Sequence, residues 1–200
     1  MNCTIDYIKN WLKANLNEER YEHSLGTAEC ASYLAEKYGL NKEKAFFTGL
    51  IHDCAKCMQK EESLEILKTL PLCEGEMENP KTHHAPVGAY VARKEFGVED
   101  EEILSAIRWH TIGKINMSLF EKIIFLADKI EERTRPIEYA QPIRDALQKN
   151  GVDAGLLVCY KNTIKSLVDR DLTICTVTVD IYNSLLESQK KLANSKISSK

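Results

Sequence analysis

No stretch of this 200-residue chain approaches the roughly 18 uncharged apolar residues that a helix needs to cross a bilayer. We also expect no secretory signal, because charged residues interrupt the apolar ones throughout residues 1–13. These absences predict a soluble protein that has no contact with a membrane and stays in the cytoplasm, where it is made.

A surplus of positive charge is lacking as well. The chain has 27 Lys and Arg against 30 Asp and Glu, for a formal net charge of −3, so no excess cations are available to neutralise many phosphates. A nucleic-acid polymer is therefore excluded as an expected partner. The seven cysteines are odd in number and scattered, which indicates free thiols in a reducing compartment rather than a disulfide framework.

Apolar residues recur with helical rather than strand spacing over most of the chain. Ile5, Ile8 and Leu12 share one helical face, Gly39 is placed to end the second helix, and Asn41 is placed to cap the third. The pattern predicts a loop at 72–81 and, among others, helices over residues 41–54, 63–70, 142–149, 153–169 and 173–192. Strand-like β-branching at 173–179 leaves the start of the last helix open. The predicted class is all-α.

Histidines and aspartates stand out on the apolar helices. Four of the five histidines lie on predicted helices or at their starts, and two aspartates accompany them; the set is His23, His52, Asp53, His84, His110 and Asp128. Burying several imidazoles and carboxylates costs several kcal/mol unless they are paired or bind a metal. A metal centre would satisfy the whole set at once.

Nitrogen and oxygen donors of this kind suit iron, zinc or manganese, and the lack of a thiolate set argues against a structural zinc site. Asp53 directly follows His52, so it is well placed to bridge two ions. Two ions about 4 Å apart can generate hydroxide from a bridging water and neutralise a phosphate under attack.

Five motifs in order resemble a known family. They read Arg20-Tyr-Glu-His23-Ser, Gly49-Leu-Ile-His52-Asp53-Cys-Ala-Lys56, His84-Ala-Pro-Val-Gly-Ala89, Trp109-His110-Thr-Ile-Gly113 and Ala127-Asp128-Lys-Ile-Glu131. Their order resembles the HD-domain superfamily of metal-dependent phosphohydrolases, and more specifically the bacterial YqeK family.

That resemblance implies a compact helical bundle with a di-iron centre, or one loaded with manganese or other divalent ions. It implies symmetrical hydrolysis of diadenosine tetraphosphate by metal-bound hydroxide, with two ADP as products. The implied ligands are the six residues of the His/Asp set. We expect one domain over residues 1–194, with the metal-site core at about 18–135, C-terminal helices at about 140–194 and a flexible tail at 195–200.

Basic residues near the motifs are candidates for phosphate binding. Lys56 follows Asp53 by three positions on the same helical face, so we expect its ammonium to reach a phosphate oxygen near the metals and to assist catalysis with Asp53. Arg20 precedes His23 by the same interval, and its planar fork suits phosphate. Thr111 offers a hydroxyl. The alternatives are a solvated lysine, an arginine paired with a surface glutamate, and a threonine that only caps the chain.

The segment after Glu131 departs from the family pattern, in which a proline and a single arginine are expected. Here Arg133 and Arg135 are both candidates for contact with the substrate. His83 is the alternative to its neighbour as a ligand. The C-x-x-C spacing of Cys54 and Cys57 could indicate redox chemistry or zinc, but no second pair accompanies it, which favours a structural role.

Two other functions remain open at this stage. One is hydrolysis of another nucleotide, such as a deoxynucleoside triphosphate or a guanosine alarmone; the other is a metal- or nucleotide-binding module without catalysis. The helices beyond residue 140 lie outside the motifs. They could complete the core, form a homodimer interface or cover the nucleotide.

Overall fold

The structure, a computed structural model, describes residues 4–198 as a set of helices without a strand in that range. The all-α prediction is confirmed. In chain order the helices are α1 (Ile5–Asn15), α2 (Glu18–Lys37), α3 (Lys42–Ile51), α4 (Lys60–Leu67), α5 (His84–Glu95), α6 (Glu101–Trp109), α7 (Leu119–Ile130), α8 (Ile137–Asn150), α9 (Val152–Val168) and α10 (Thr176–Ser198).

Short polar side chains start several of these helices. The side chain of Asn41 accepts a hydrogen bond from the backbone N–H of Lys44 at 2.7 Å, as the sequence predicted. Ser118 and Glu121 form a reciprocal capping box at the start of α7. Gly39 follows the end of α2 with φ of +72°, a conformation that glycine adopts without strain. Local signals therefore fix where α3 and α7 begin and where α2 ends.

Two hydrophobic clusters make up the core. One joins α2 and α7 to the C-terminal helices, with Ile124, Leu156 and Ile181 among its buried members. The other joins α1, α3, α5 and α6 and includes Leu50 and Ile107. Helix α3 packs against α2, α6 and α7, and α6 also packs against α7, so the ends of α3 and α6 lie close together beside α7. Polar residues at those ends are thereby brought together between the clusters.

Close helix packing depends on two glycines. A Cβ at Gly49 of α3 would lie 2.8 Å from the Thr27 carbonyl oxygen, so only glycine allows the observed approach of α3 to α2. A Cβ at Gly113 would lie 1.9 Å from the Tyr160 hydroxyl, which donates a hydrogen bond to the Ile112 carbonyl. The C-terminal helix α9 is thus joined to the segment that follows α6.

Several predicted boundaries are wrong. The third helix ends at Ile51 rather than Cys54, α4 runs three residues earlier than predicted, and α8 begins at Ile137 instead of residue 142. Pro142 lies inside α8; it and Glu138, four residues earlier, are exposed, so water can hydrate the carbonyl that proline leaves without a donor. The last helix begins at Thr176, and the strand-like signal before it produces no strand.

The C-terminal helices complete the core, since residues of α9 and α10 are buried in the first cluster. Helix α10 continues to Ser198, so four residues of the predicted tail have helical backbone, while residues 199 and 200 lie outside the described range. The cysteines at positions 30, 54, 57, 73, 159 and 175 are free thiols. Within residues 4–198, no helix is long and apolar enough to cross a membrane.

Candidate metal centre

All six predicted metal ligands converge in one buried cluster, called here the His/Asp cluster. Each of its residues is less than a tenth exposed. They come from different parts of the fold: α2, the turn after α3, the first residue of α5, the residue after α6, and α7. The cluster consists of His23, His52, Asp53, His84, His110 and Asp128.

Each of the two carboxylates in the cluster lies beside a different pair of imidazoles. Asp128 Oδ1 lies 2.9 Å from His23 Nε2 and 3.7 Å from His52 Nε2. Asp53 Oδ1 lies 3.2 Å from His84 Nε2 and 3.4 Å from His110 Nε2. Two sets of three potential ligands result, His23 with His52 and Asp128, and His52 with Asp53 and His110, each with donor atoms within 4.8 Å of one another.

Main-chain carbonyls orient two of the imidazoles. His52 Nδ1 donates to the Gly49 carbonyl at 2.7 Å, and His110 Nδ1 donates to the Ile107 carbonyl at 2.6 Å. Each carbonyl belongs to the last turn of a helix, where it would otherwise lack a donor. The tautomer is therefore fixed with the Nε2 lone pair facing the cluster, as a metal ligand requires.

A glutamate that the sequence reasoning did not assign orients the third imidazole. Glu131 is fully buried, and its Oε1 lies 3.1 Å from His23 Nδ1. The same carboxylate accepts hydrogen bonds from the backbone N–H of Arg133 at 2.6 Å and from the N–H and hydroxyl of Thr134. Because a carboxylate only accepts, His23 Nδ1 must be the donor and Nε2 faces Asp128.

Glycine at position 26 leaves room for this carboxylate. A Cβ there would lie 2.2 Å from Glu131 Oε2 and 3.2 Å from Arg133 Cβ. The sequence signals available for Glu131 were its place at the end of the fifth motif and its spacing of three residues from Asp128. Nothing local connects it with His23, which lies 108 residues away.

The protonation states of His52, His84 and Asp128 suit metal binding. Burial lowers the pKa of His52, and it lowers the pKa of His84 well below its usual value, so both rings are neutral at pH 7. Burial raises the pKa of Asp128, but the charges of Lys129 and Arg135 hold it well below the usual range. Neutral imidazoles next to ionised carboxylates are the forms that bind divalent cations.

Two buried atoms of the cluster have no hydrogen-bond partner within the described residues: His52 Nε2 and Asp53 Oδ1. Buried polar atoms are nearly always paired, and leaving one unpaired costs about 1–3 kcal/mol. Both atoms belong to one of the two sets of three, at positions where a cation would contact them. The donor chemistry and these unpaired atoms fit a metal centre.

Most of the predicted phosphate-binding residues surround the cluster. Arg20 lies 3.6 Å from Asp53 Oδ2, not against a surface glutamate, and Thr111 Oγ1 lies 3.1 Å from His84 Nε2. Lys56 Nζ lies 3.1 Å from ring nitrogens of His84. The helical-face argument for Lys56 is wrong, because residues 52–57 form turns after α3, yet those turns still bring its ammonium to the cluster.

The two arginines after Glu131 occupy different places. Arg135 hydrogen-bonds to the Asp128 carboxylate and, through Nε, to the Asp128 carbonyl at 2.6 Å. Arg133 instead pairs with exposed glutamates on α2, including Glu29 at 2.6 Å. Lys129, which the sequence reasoning did not assign, lies 2.6 Å from the second oxygen of Asp128.

The alternative residues do not join the cluster. His83 Nε2 lies 2.9 Å from the Met77 carbonyl. Cys54 is buried and donates to the Gly88 carbonyl, whereas Cys57 is exposed, and burial raises the pKa of the Cys54 thiol. A buried, protonated thiol agrees with the structural interpretation of this C-x-x-C pair.

Comparisons with known proteins agree with this geometry. The profile of the HD domain family matches residues 20–133. The chain is 39% identical over 180 residues to the symmetrical bis(5'-nucleosyl)-tetraphosphatase of Halalkalibacterium halodurans, covering 90% of this chain and 95% of the relative. It is 37% identical over 176 residues to the protein of the same name from Bacillus subtilis, covering 88% and 94%.

A solved structure shares the fold. It is the crystal structure of a predicted HD superfamily hydrolase involved in NAD metabolism from Clostridium acetobutylicum, which superimposes with a TM-score of 0.87 at 37% identity. The match covers 93% of this chain and 98% of the other. The predicted HD-type bundle is confirmed.

Proposed function

Because the chain belongs to the HD domain family, and within it to the group of symmetrical bis(5'-nucleosyl)-tetraphosphatases, we propose that it hydrolyses diadenosine tetraphosphate and related dinucleoside polyphosphates. The products on this proposal are two nucleoside diphosphates, ADP in the adenosine case. The observation that carries the proposal is the buried His/Asp cluster with cationic side chains around it.

We further propose that the cluster holds two metal ions, with iron as the first candidate and manganese or another divalent ion as alternatives. His23, His52 and Asp128 would hold one ion, and Asp53, His84 and His110 would hold the other. When bound, such ions supply an activated water and neutralise charge on the phosphate under attack.

The chain's own residues bind and orient the substrate. Arg20 and Lys56 lie on the Asp53 side of the cluster, where their positive charges can bind phosphate oxygens and stabilise the negative charge that develops as the bond breaks. Thr111 offers a hydroxyl donor beside His84. Asp53, which two imidazoles contact, takes the central catalytic position in this scheme.

On the Asp128 side, Lys129 and Arg135 each contact a carboxylate oxygen, which keeps Asp128 ionised and in a fixed orientation. Arg135 is therefore the arginine that we place next to the substrate, although both were candidates. Arg133 is engaged by α2 glutamates and would have to break two ion pairs first.

The test is anaerobic incubation of the protein with diadenosine tetraphosphate and ferrous ion, with products separated by anion exchange and metal per chain counted in the same sample. ADP alone, at about two metals per chain, is the expected result. Equal amounts of AMP and ATP would contradict symmetrical cleavage. No turnover at full metal occupancy would contradict the proposed substrate, and a panel of deoxynucleoside triphosphates and guanosine alarmones would follow.

Substitution supplies the control. Asp53→Ala should lose both bound metal and hydrolysis, whereas Asp180→Ala, at an exposed aspartate of α10, should keep both. Asp53→Ala with unchanged metal content and turnover would contradict the proposal. Nucleotide binding without hydrolysis by the fully loaded wild type would favour the binding-module alternative. A cytoplasmic location and a homodimer stay predictions, and size-exclusion chromatography with light scattering tests the second.

A further inference from the structure

A cleft of about 590 Å³ begins at the His/Asp cluster and extends toward the start of α4. Arg20, Lys56 and His84 line its inner end, where they contact the cluster or belong to it. Lys60, the first residue of α4, and Lys81, in the loop before α5, line the same cleft. The cleft is therefore continuous from the candidate metal centre to two exposed lysines.

The charge along this cleft is of one sign. Four of its described lining residues are lysine or arginine, and none of them is acidic. This is unusual in a chain whose acidic residues outnumber its basic ones. Helix α4 keeps negative charge away from the cleft, because its glutamates at positions 61, 62 and 65 line a different groove.

The outer lysines also lack protein counterions. Within residues 4–198, neither Lys60 nor Lys81 forms an ion pair with a carboxylate. Lys68, at the opposite end of α4, pairs with Glu65 at 2.5 Å. Cations that line one concave surface and have no carboxylate partner attract an anion from solution.

We propose that Lys60 and Lys81 bind the phosphates of the part of the substrate that extends out of the metal centre, so that this cleft selects for a long phosphate chain. The inference rests on the proposed function, because it assigns the cleft to one half of the same dinucleoside polyphosphate. Lysines suit this role, since a flexible point charge can follow a linear chain without fixed geometry.

The test uses the metal-loaded protein and the double variant Lys60→Ala/Lys81→Ala, with Lys68→Ala, at the residue that follows α4, as the matched control. Calorimetry measures binding of inorganic triphosphate and of orthophosphate, and metal per chain is counted again afterwards. The KM for diadenosine tetraphosphate is measured in parallel. Both lysines are exposed, so the thermal midpoint should stay unchanged and folding is not at issue.

We expect the double variant to bind triphosphate about tenfold more weakly and to show a similar rise in KM, because two exposed ion pairs together contribute about that factor. Orthophosphate binding, metal content and kcat should not change, and raised salt should reduce the difference. Lys68→Ala should behave as the wild type does.

The outcomes separate the cleft from the proposed function. Normal turnover by the wild type with unchanged KM and triphosphate binding in the double variant overturns the cleft inference alone. Absent turnover with weakened triphosphate binding supports an oligophosphate cleft and overturns the proposed substrate. If the binding of orthophosphate and of triphosphate weakens equally, selection for chain length is overturned, because this result indicates a general effect of net charge.

Discussion

Replacing Glu131 with glutamine tests how the candidate metal centre is oriented. The two oxygens of Glu131 accept hydrogen bonds from His23 Nδ1, from two backbone N–H groups and from the Thr134 hydroxyl. Burial raises the pKa of Glu131, but the hydrogen bonds from His23 and Thr134 lower it to about 2. The group is thus a carboxylate at pH 7, with donors on both oxygens.

Glutamine cannot satisfy this arrangement in either orientation. If its NH₂ faces the backbone, it meets the N–H groups of Arg133 and Thr134, and these lose their acceptor. If its NH₂ faces His23, Nδ1 must accept, so the proton moves to Nε2 and the Nε2 lone pair is no longer available to a metal ion. The first orientation costs about 1–3 kcal/mol of stability. Loss of such a support for a metal-bound histidine typically costs about 10–100-fold in metal affinity.

Two measurements on Glu131→Gln check this reasoning. Guanidinium unfolding in the presence of a chelator gives the stability of the metal-free chain, and competition with a chromophoric chelator gives the metal affinity. Glu132→Gln is the matched control, because Glu132 is exposed and adjacent, and its stability should stay within about 0.5 kcal/mol of the wild type. Metal affinity equal to that of the control would refute the assigned role of Glu131.

The structure predicts the direction of the effect of three further substitutions on metal affinity or stability. Gly26→Ala should lower metal affinity and destabilise the chain, because the new methyl would lie 2.2 Å from an oxygen of the hydrogen-bonded Glu131. This clash should outweigh the helix preference of alanine over glycine, which is about 1 kcal/mol. Chelator competition checks the metal affinity, and chemical unfolding checks the stability. Tyr160→Phe should cost about 1 kcal/mol in chemical unfolding, because a buried carbonyl loses its donor. Asp100→Asn should cost less than about 1 kcal/mol at pH 7, because the side chain still caps α6 and only the ion pair with Lys44 is lost. The hydrogen bond from Lys44 lowers the folded-state pKa of Asp100. The stability difference between wild type and Asp100→Asn should therefore be present above pH 3.8 and vanish as the pH falls through the lowered pKa. A stability difference that persists in unfolding curves below that pKa would contradict this expectation.

The sequence predicted much of the helical framework because its signals are local. Asn41 and Gly39 mark a helix start and a helix end through their own side-chain chemistry, and both positions are confirmed. The end of α3 was missed because His52 competes with the backbone. Its ring takes the Gly49 carbonyl that a continuing helix would give to the N–H of Asp53.

The candidate site was likewise predictable only where its signals lie in the local sequence. The histidine and aspartate motifs predicted the six members of the cluster, since those residue types are unusual on apolar helices. Glu131 was missed because its role depends on His23, which only the packing of α2 against α7 brings near it. The choice between Arg133 and Arg135 likewise depends on which carboxylates the fold places beside each guanidinium.

Three imidazoles of the His/Asp cluster differ in how easily a substitution can disturb their orientation. His52 and His110 are held by main-chain carbonyls, which no single substitution removes from the chain. His23 is held by the side chain of Glu131, which in turn needs a glycine at position 26. Substitutions at Glu131 or Gly26 can therefore disturb the orientation of His23 without replacing any residue of the His/Asp cluster itself. A lineage that loses activity gradually would be expected to change first at Glu131 or Gly26, while His52 and His110 stay aligned.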